Sequence, residues 1–317
     1  MSFEIVKGIN GFDKIKSGVV ATIGTFDGLH LGHQAILQKV RRAQEEMFLL
    51  PIAITFEPHP RVLVTPDSPP LLLTTWEEKV KLFSRYLSGK LMVIEFNHDI
   101  MNMTAEEFIR NFLVERLSLK KLIVGYDHAF GKNRSGTIND LTELSKKYSF
   151  ELEIVEPVII SGKPVSSSRI RRLMAENRYA EALTMLGHSY PIAGIVKKGI
   201  NLGKKLGFPT ANLEYSMRKM LPREGVYSCS LEINNRYYDG MIFIGVNHFN
   251  PSAGISIEVN IFEFGEDIYG REIFCYPEVY LRENKKYGET SELINQIKLD
   301  KENVLRIKSR GESRNAC

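Results

Sequence analysis

The feature that most constrains this chain is a change of rhythm near residue 185. Before it, short apolar runs alternate with helix-length amphipathic stretches. Val19-Val20-Ala21-Thr22-Ile23 reads as a buried strand that turns into a helix from about Leu29 to Arg42. Pro51 to Phe56, Leu91 to Phe96, Lys121 to Gly125 and Leu152 to Val155 read as further strands. Between them, Thr74 and Thr75 stand three residues before Glu77 and Glu78, and Thr104 stands three before Glu107. That spacing lets a threonine and a glutamate cap each other's backbone at a helix start. Further helices are expected from Ile138 to Lys147 and from Ser167 onward. Strands apolar on both faces, alternating with helices, predict a parallel sheet covered on both sides.

After about Tyr190 strand-like segments follow one another directly. Gly225 to Ile233 and Tyr237 to Val246 flank Asn234-Asn235, residues that tolerate the positive φ of a tight hairpin turn. Ile255 to Phe264 and Ile273 to Leu281 alternate in the same way, and an amphipathic helix is expected from Ser291 towards Lys308. The expected fold class is therefore α/β: a Rossmann-like parallel-sheet domain over residues 1–186, then a small antiparallel β-barrel or sandwich with a C-terminal helix over 187–317. The boundary falls near Gly187-His188-Ser189-Tyr190-Pro191.

Composition narrows the function classes. Of 317 residues, 43% are hydrophobic and 25% charged, which excludes a wholly disordered or fibrous chain. A net charge of +4 predicts no nucleic-acid partner, so phosphate chemistry has to be argued from local sites. Cys229, Cys275 and Cys317 are odd in number and widely spaced, arguing against a disulfide framework or zinc cluster. The opening Met1-Ser2-Phe3-Glu4 lacks a signal-peptide pattern, and no apolar run is long enough for a bilayer. A cytoplasmic protein without a membrane partner is expected; its oligomeric state is left open.

The strongest chemical signal is Gly24-Thr25-Phe26-Asp27-Gly28-Leu29-His30-Leu31-Gly32-His33, where the first strand turns into the first helix. Ligands of open parallel sheets sit at the carboxyl ends of strands, near helix N-termini whose N–H groups are unpaired. Gly24 and Gly28 permit a sharp turn beside an anion, and Gly32 removes a side chain where a nucleotide would lie. His30 and His33, three apart, project from one face and suit hydrogen bonds to phosphate oxygens. A zinc pair or a purely structural pair are the alternatives; no Glu lies between them as in HExxH, and no third ligand is evident. A second element, Ser166-Ser167-Ser168-Arg169-Ile170-Arg171, reads as a helix start whose serines are either caps or phosphate contacts, with Arg171 one turn inside.

In this order the two elements resemble the HxGH nucleotidyltransferase superfamily. Together with Phe56-Glu57-Pro58-His59-Pro60 and the run Val124 to Gly136, they resemble the N-terminal module of bacterial bifunctional riboflavin kinase/FMN adenylyltransferases. The resemblance implies attack by an FMN phosphate oxygen on the α-phosphorus of ATP, with release of pyrophosphate and formation of FAD. It implies that Gly24, Phe26, Asp27, Gly32, His30 and His33 serve ATP, with Ser167, Ser168 and Arg171 on its triphosphate. Pro58, His59, Pro60, Asp127 and Phe130 would then contact the flavin.

The second half carries Gly203-Lys204-Lys205-Leu206-Gly207-Phe208-Pro209-Thr210-Ala211-Asn212. Gly203, Lys205 and Gly207 form a basic glycine loop suited to ATP phosphates, and Thr210 and Asn212 offer oxygens suited to Mg²⁺. A generic basic turn is the plain alternative, but the ending Pro-Thr-Ala-Asn resembles the kinase signature of the same family. In Ser256 to Ile261 alternation puts Ser256, Glu258 and Asn260 on one face. The resemblance makes Glu258 the base that accepts the riboflavin 5′-hydroxyl proton. Riboflavin, FMN and ATP are the implied substrates. One departure stands out: where the family shows a Pro-Thr pair near the flavin, this chain has Asn247-His248-Phe249-Asn250. That substitution admits a second reading, an FMN adenylyltransferase whose kinase-like domain is inactive or regulatory.

Overall fold

The computed structural model describes residues 2–8, 15, 17–132, 136–199, 203, 206–246 and 254–310. The chain packs as two compact units, Met1–Leu72 with Lys79–Ser167, and Leu73–Glu78 with Ser168–Cys317. This packing division precedes the change of rhythm after residue 186, because two helices that follow Ser167 pack with the second unit.

In the first unit, strands β1 (Glu4–Lys7), β2 (Val19–Ile23), β3 (Leu50–Glu57), β4 (Lys90–Glu95), β5 (Leu119–Gly125) and β6 (Glu151–Val155) form one sheet in the order β1-β4-β3-β2-β5-β6. Every pairing is parallel. The helices are α1 (Leu31–Met47), α2 (Arg61–Val64), α3 (Trp76–Tyr86), α4 (His98–Asn102), α5 (Ala105–Phe108) and α6 (Ile138–Tyr148). A two-stranded ribbon, β7 (Ile159–Ile160) and β8 (Lys163–Pro164), precedes Ser167. All of β2 is buried, as expected for a central strand covered on both faces. Its neighbours β3 and β5 lie on either side, so the order reverses at β2, the switch point where such sheets open a crevice at their carboxyl edge. Of the capping pairs read from sequence, Thr75 Oγ1 accepts the Glu78 N–H, and Thr104 and Glu107 form a reciprocal capping box. The helix expected from Thr104 narrows to one α-turn and continues as a π-helix over Ile109–Val114.

The second unit begins its main run with α7 (Ser167–Ala175, from Ser168) and α8 (Tyr179–Leu186). Strands β9 (Ile192–Lys197), β10 (Ala211–Glu214), β11 (Gly225–Ile233), β12 (Arg236–Val246), β13 (Ile255–Ile261) and β14 (Glu272–Arg282) close into a barrel, β10-β13-β12-β11-β14-β9. Between barrel and sandwich, the chain therefore takes the barrel, whose closure leaves no unpaired edge. Asn234 and Asn235 take φ of 51° and 60°, as the hairpin turn requires. Helix α9 (Thr290–Ser309) is fastened to the barrel by Lys308, whose ammonium meets Asp239 and Glu278 at 2.8 Å each. The segment Leu73–Glu78 contributes to this unit a buried carboxylate, Glu78, paired at 2.6 Å with Lys219.

Candidate active sites

The first site is built on the turn between β2 and α1. The Gly24 N–H still pairs with the Ile54 carbonyl, so the sharp reversal comes later, at Phe26 (φ 49°), Gly28 (φ 81°) and Leu29 (φ 36°). Of the glycines expected to turn the chain, Gly28 does so in the left-handed region and Gly24 does not. Left-handed φ at buried non-glycine residues costs about 1–3 kcal/mol each and persists only where packing over-determines it. Here the Phe26 ring, 1% exposed, stands edge-on to Phe83 of α3 at 5.2 Å and to His33 at 5.3 Å. Phe26 thus turns its ring inward and supports the turn. Asp27 is likewise buried, and its carbonyl accepts a 2.9 Å hydrogen bond from the Ser167 hydroxyl.

His30 is the N-cap of α1, and its ring stacks on His33 at 3.7 Å with planes 17° apart. A Cβ at Gly32 would stand 3.2 Å from the His30 ring, so the missing side chain makes room for the imidazole. Burial, His30 and then Lys79 hold the His33 pKa well below the usual histidine range, so the ring stays neutral at physiological pH. Its buried Nδ1 makes no hydrogen bond among the described residues. Stacked imidazoles at the head of a long helix offer N–H donors to an anion.

Because β3 and β5 flank β2 and run parallel to it, their carboxyl ends flank the turn. After β3 come Pro58, His59 and Pro60; His59 is buried and its Nδ1 accepts the Arg61 N–H at 3.2 Å. After β5 come exposed Asp127 and half-buried Phe130, whose ring packs on Phe108 at 5.8 Å. All these expected residues therefore share one edge of the sheet with His30 and His33. Ser168, exposed, and Arg171, half-buried, belong with the second unit.

The second site is a cavity of about 500 Å³ in the barrel unit. Gly203, Thr210, Asn212, Glu258 and Asn260 all line it. Asn212 lies opposite Glu258 across the β10–β13 pair, and the Thr210 hydroxyl stands 3.5 Å from Glu258 Oε2. Asn260 donates to the Pro209 carbonyl at 2.7 Å, fixing the approach to β10. A side chain at Gly203 would run into the Phe208 carbonyl and the Thr210 hydroxyl, which accounts for glycine there. Gly207 takes φ of 83° at the turn before Phe208. Lys205 and the departure Asn247-His248-Phe249-Asn250 lie outside the described residues. Among the described residues no cluster of three His, Cys, Asp or Glu side chains could hold a metal. The oxygens of Thr210 and Asn212 beside Glu258 nevertheless suit a hard cation that shares its ligands with phosphates.

Sequence reasoning marks the run Leu281-Arg282-Glu283-Asn284-Lys285-Lys286 as resembling the family but gives it no role, and it misses Asp300. Arg282, the last residue of β14, is held by Asp300 of α9 through contacts of 2.8 to 3.1 Å, and both line the cavity. Asp300 is buried one helical turn before buried Val304, so the apolar stripe of α9 carried the signal.

Comparisons with known proteins match two parts of the chain to two family models. Residues 12–169 match the family model described as FAD synthetase, and 186–308 match that described as riboflavin kinase. A bifunctional riboflavin kinase/FMN adenylyltransferase from Buchnera aphidicola subsp. Acyrthosiphon pisum is 33% identical over 302 residues, covering 94% of this chain and 96% of its own. The protein of the same name from Escherichia coli K12 is 31% identical over 299 residues, covering 94% and 95%. A crystal structure of a protein called macrolide-efflux protein, from Streptococcus pneumoniae, has a TM-score of 0.81 at 29% identity and covers 95% of this chain and 98% of its own. Among the described residues no helix is long and apolar enough to cross a membrane.

Proposed function

The chain belongs to the bifunctional riboflavin kinase/FMN adenylyltransferase family, and from that premise we propose how its residues carry the two reactions. Residues 1–186 form the adenylyltransferase module and 187–317 the kinase module, both working in the cytoplasm on small-molecule flavins and ATP. The reading is supported by one observation: each motif set gathers at its own site, the stacked His30 and His33 at a sheet edge and Glu258 with Thr210 and Asn212 in a barrel cavity.

At the first site, an FMN phosphate oxygen attacks the α-phosphorus of ATP, and the bond from that phosphorus to the β-bridging oxygen breaks to release pyrophosphate. Positioning and charge stabilisation dominate such a transfer. His30 and His33 donate hydrogen bonds to phosphate oxygens, and the backbone of Gly24, Phe26, Asp27 and Gly32 shapes the ATP cradle. Pro58, His59, Pro60, Asp127 and Phe130 bound the flavin. Family resemblance alone assigns Ser167, Ser168 and Arg171 to the triphosphate.

At the second site the riboflavin 5′-hydroxyl attacks the γ-phosphorus of a second ATP, releasing ADP, while Glu258 takes the hydroxyl proton. Gly203, Lys205 and Gly207 serve the phosphates. Thr210 and Asn212 would hold Mg²⁺, which when bound neutralises phosphate charge.

The test is to give purified protein ATP with riboflavin or with FMN and to separate the products chromatographically. FMN and then FAD from riboflavin is the expected outcome. FAD from FMN without FMN from riboflavin would reduce the protein to an adenylyltransferase. No product from either flavin would make it a non-catalytic binder.

A further inference from the structure

Lys79 belongs to none of the motifs above, yet it is only 3% exposed. A buried ammonium is costly unless paired and hydrogen-bonded. Lys219, equally buried, meets that demand: it donates to the Leu73 carbonyl at 2.7 Å and to Glu78 at 2.6 Å, and its nitrogen lies 3.8 Å from the centre of the Tyr190 ring. Lys79 does not meet it. Among the described residues its ammonium makes no hydrogen bond, and its one ion pair is with Glu57 Oε2 at 3.9 Å. Burial pushes its pKa below the usual lysine value, and Glu57 and then Asp27 oppose that shift.

Its position says what is missing. Lys79 and Phe83 lie one turn apart on α3, hence on one face, and Phe83 packs against Phe26 of the glycine–histidine turn. Glu57 closes β3 and Asp27 sits in the turn after β2, both at the sheet edge that carries His30 and His33. The charged and titratable groups around the ammonium are Glu57, Asp27 and His33, and His33 in turn faces His30. An under-compensated cation held rigidly where negative charge gathers is the arrangement that stabilises a transition state.

We propose that Lys79 is a further phosphate-contacting residue of the first site, whose ammonium donates hydrogen bonds to a non-bridging oxygen of the phosphoryl group in transfer. This rests on the adenylyltransferase reading. No proton changes hands: the ammonium lends charge as the bond from FMN oxygen to phosphorus forms and the bond to pyrophosphate breaks.

The test compares Lys79→Met and Lys79→Arg with the parent full-length protein, following FAD from FMN and FMN from riboflavin in the same preparations. Lys79→Met is expected to lower adenylylation about 10²- to 10³-fold, mostly in kcat, as loss of a transition-state donor does. Riboflavin phosphorylation should be unchanged, and Lys79→Arg should recover part of the lost rate. Because Lys79 helps hold the His33 pKa down, the pH inflection due to His33 should move upward in Lys79→Met. Adenylylation unchanged in Lys79→Met overturns the assignment. Equal loss of both reactions with a lowered Tm overturns it too, by making Lys79 a folding residue. A parent protein that makes no FAD from FMN overturns the underlying reading instead.

Discussion

On the proposed reading, the glycine–histidine turn and the barrel cavity solve the same problem, holding phosphates, by opposite means. In the turn the backbone does the shaping: left-handed φ at Phe26 and Leu29, buried rings beneath, and a histidine stack that needs the bare Cα of Gly32. In the barrel the strands are regular and side chains do the shaping, with Asn212 and Glu258 on two paired strands and Thr210 just before the first of them, all lining one cavity. The lesson is that strain marks the first site and convergent polar side chains mark the second.

The sharpest way to break this contrast is Glu258→Gln. Loss of a general base should lower FMN formation about 10²- to 10⁴-fold and leave FAD formation from FMN unchanged, as product chromatography would show. A comparable loss of adenylylation would mean that the sites are not independent.

Next in size, Lys219→Met removes the partner of a fully buried carboxylate and should destabilise the barrel unit by about 3–5 kcal/mol in urea unfolding. Burial already raises the Glu78 pKa, against the pull of Lys219 and of the Ala193 and Thr75 N–H groups. The folded state therefore holds this proton more tightly than the unfolded chain does, so acid favours folding through Glu78. The benefit is full below the ordinary carboxylate range and disappears as pH rises through the raised value. Without Lys219 the value climbs further, so the deficit of Lys219→Met should be largest at neutral pH and shrink on acidification.

His30→Ala should follow, with FAD formation from FMN reduced about 10²- to 10³-fold while riboflavin phosphorylation is spared. The smallest effect belongs to Thr137→Ala. Thr137 and Asp140 cap the start of α6, and loss of the cap should lower stability by about 1 kcal/mol in urea unfolding without changing riboflavin phosphorylation.

Much of both sites was legible where chemistry is local. Thr75 with Glu78 and Thr104 with Glu107 cap their helices as their spacing requires, and Asn234-Asn235 turn the hairpin. The register of Glu258 and Asn260 on one face of β13 follows from simple alternation. Non-local pairing hid the rest. β1 is a short strand with one buried residue, placed only by its register with β4. β10, which starts within the Pro-Thr-Ala-Asn motif, buries only Leu213 and becomes a strand by closing the barrel between β9 and β13. The run Glu77-Glu78-Lys79 carries only charged side chains, yet Glu78 and Lys79 are buried. Glu78 finds its partner 141 residues away, a separation that no local pattern encodes.

The seam at Leu73–Glu78 bears on how this enzyme should be taken apart. A fragment severed after Leu186 would keep Lys219 and the Ala193 amide but lose the acid that completes them. Any fall in kinase output from such a fragment would confound a wounded scaffold with an absent neighbour. Single-residue lesions within the intact polypeptide are the cleaner scalpel.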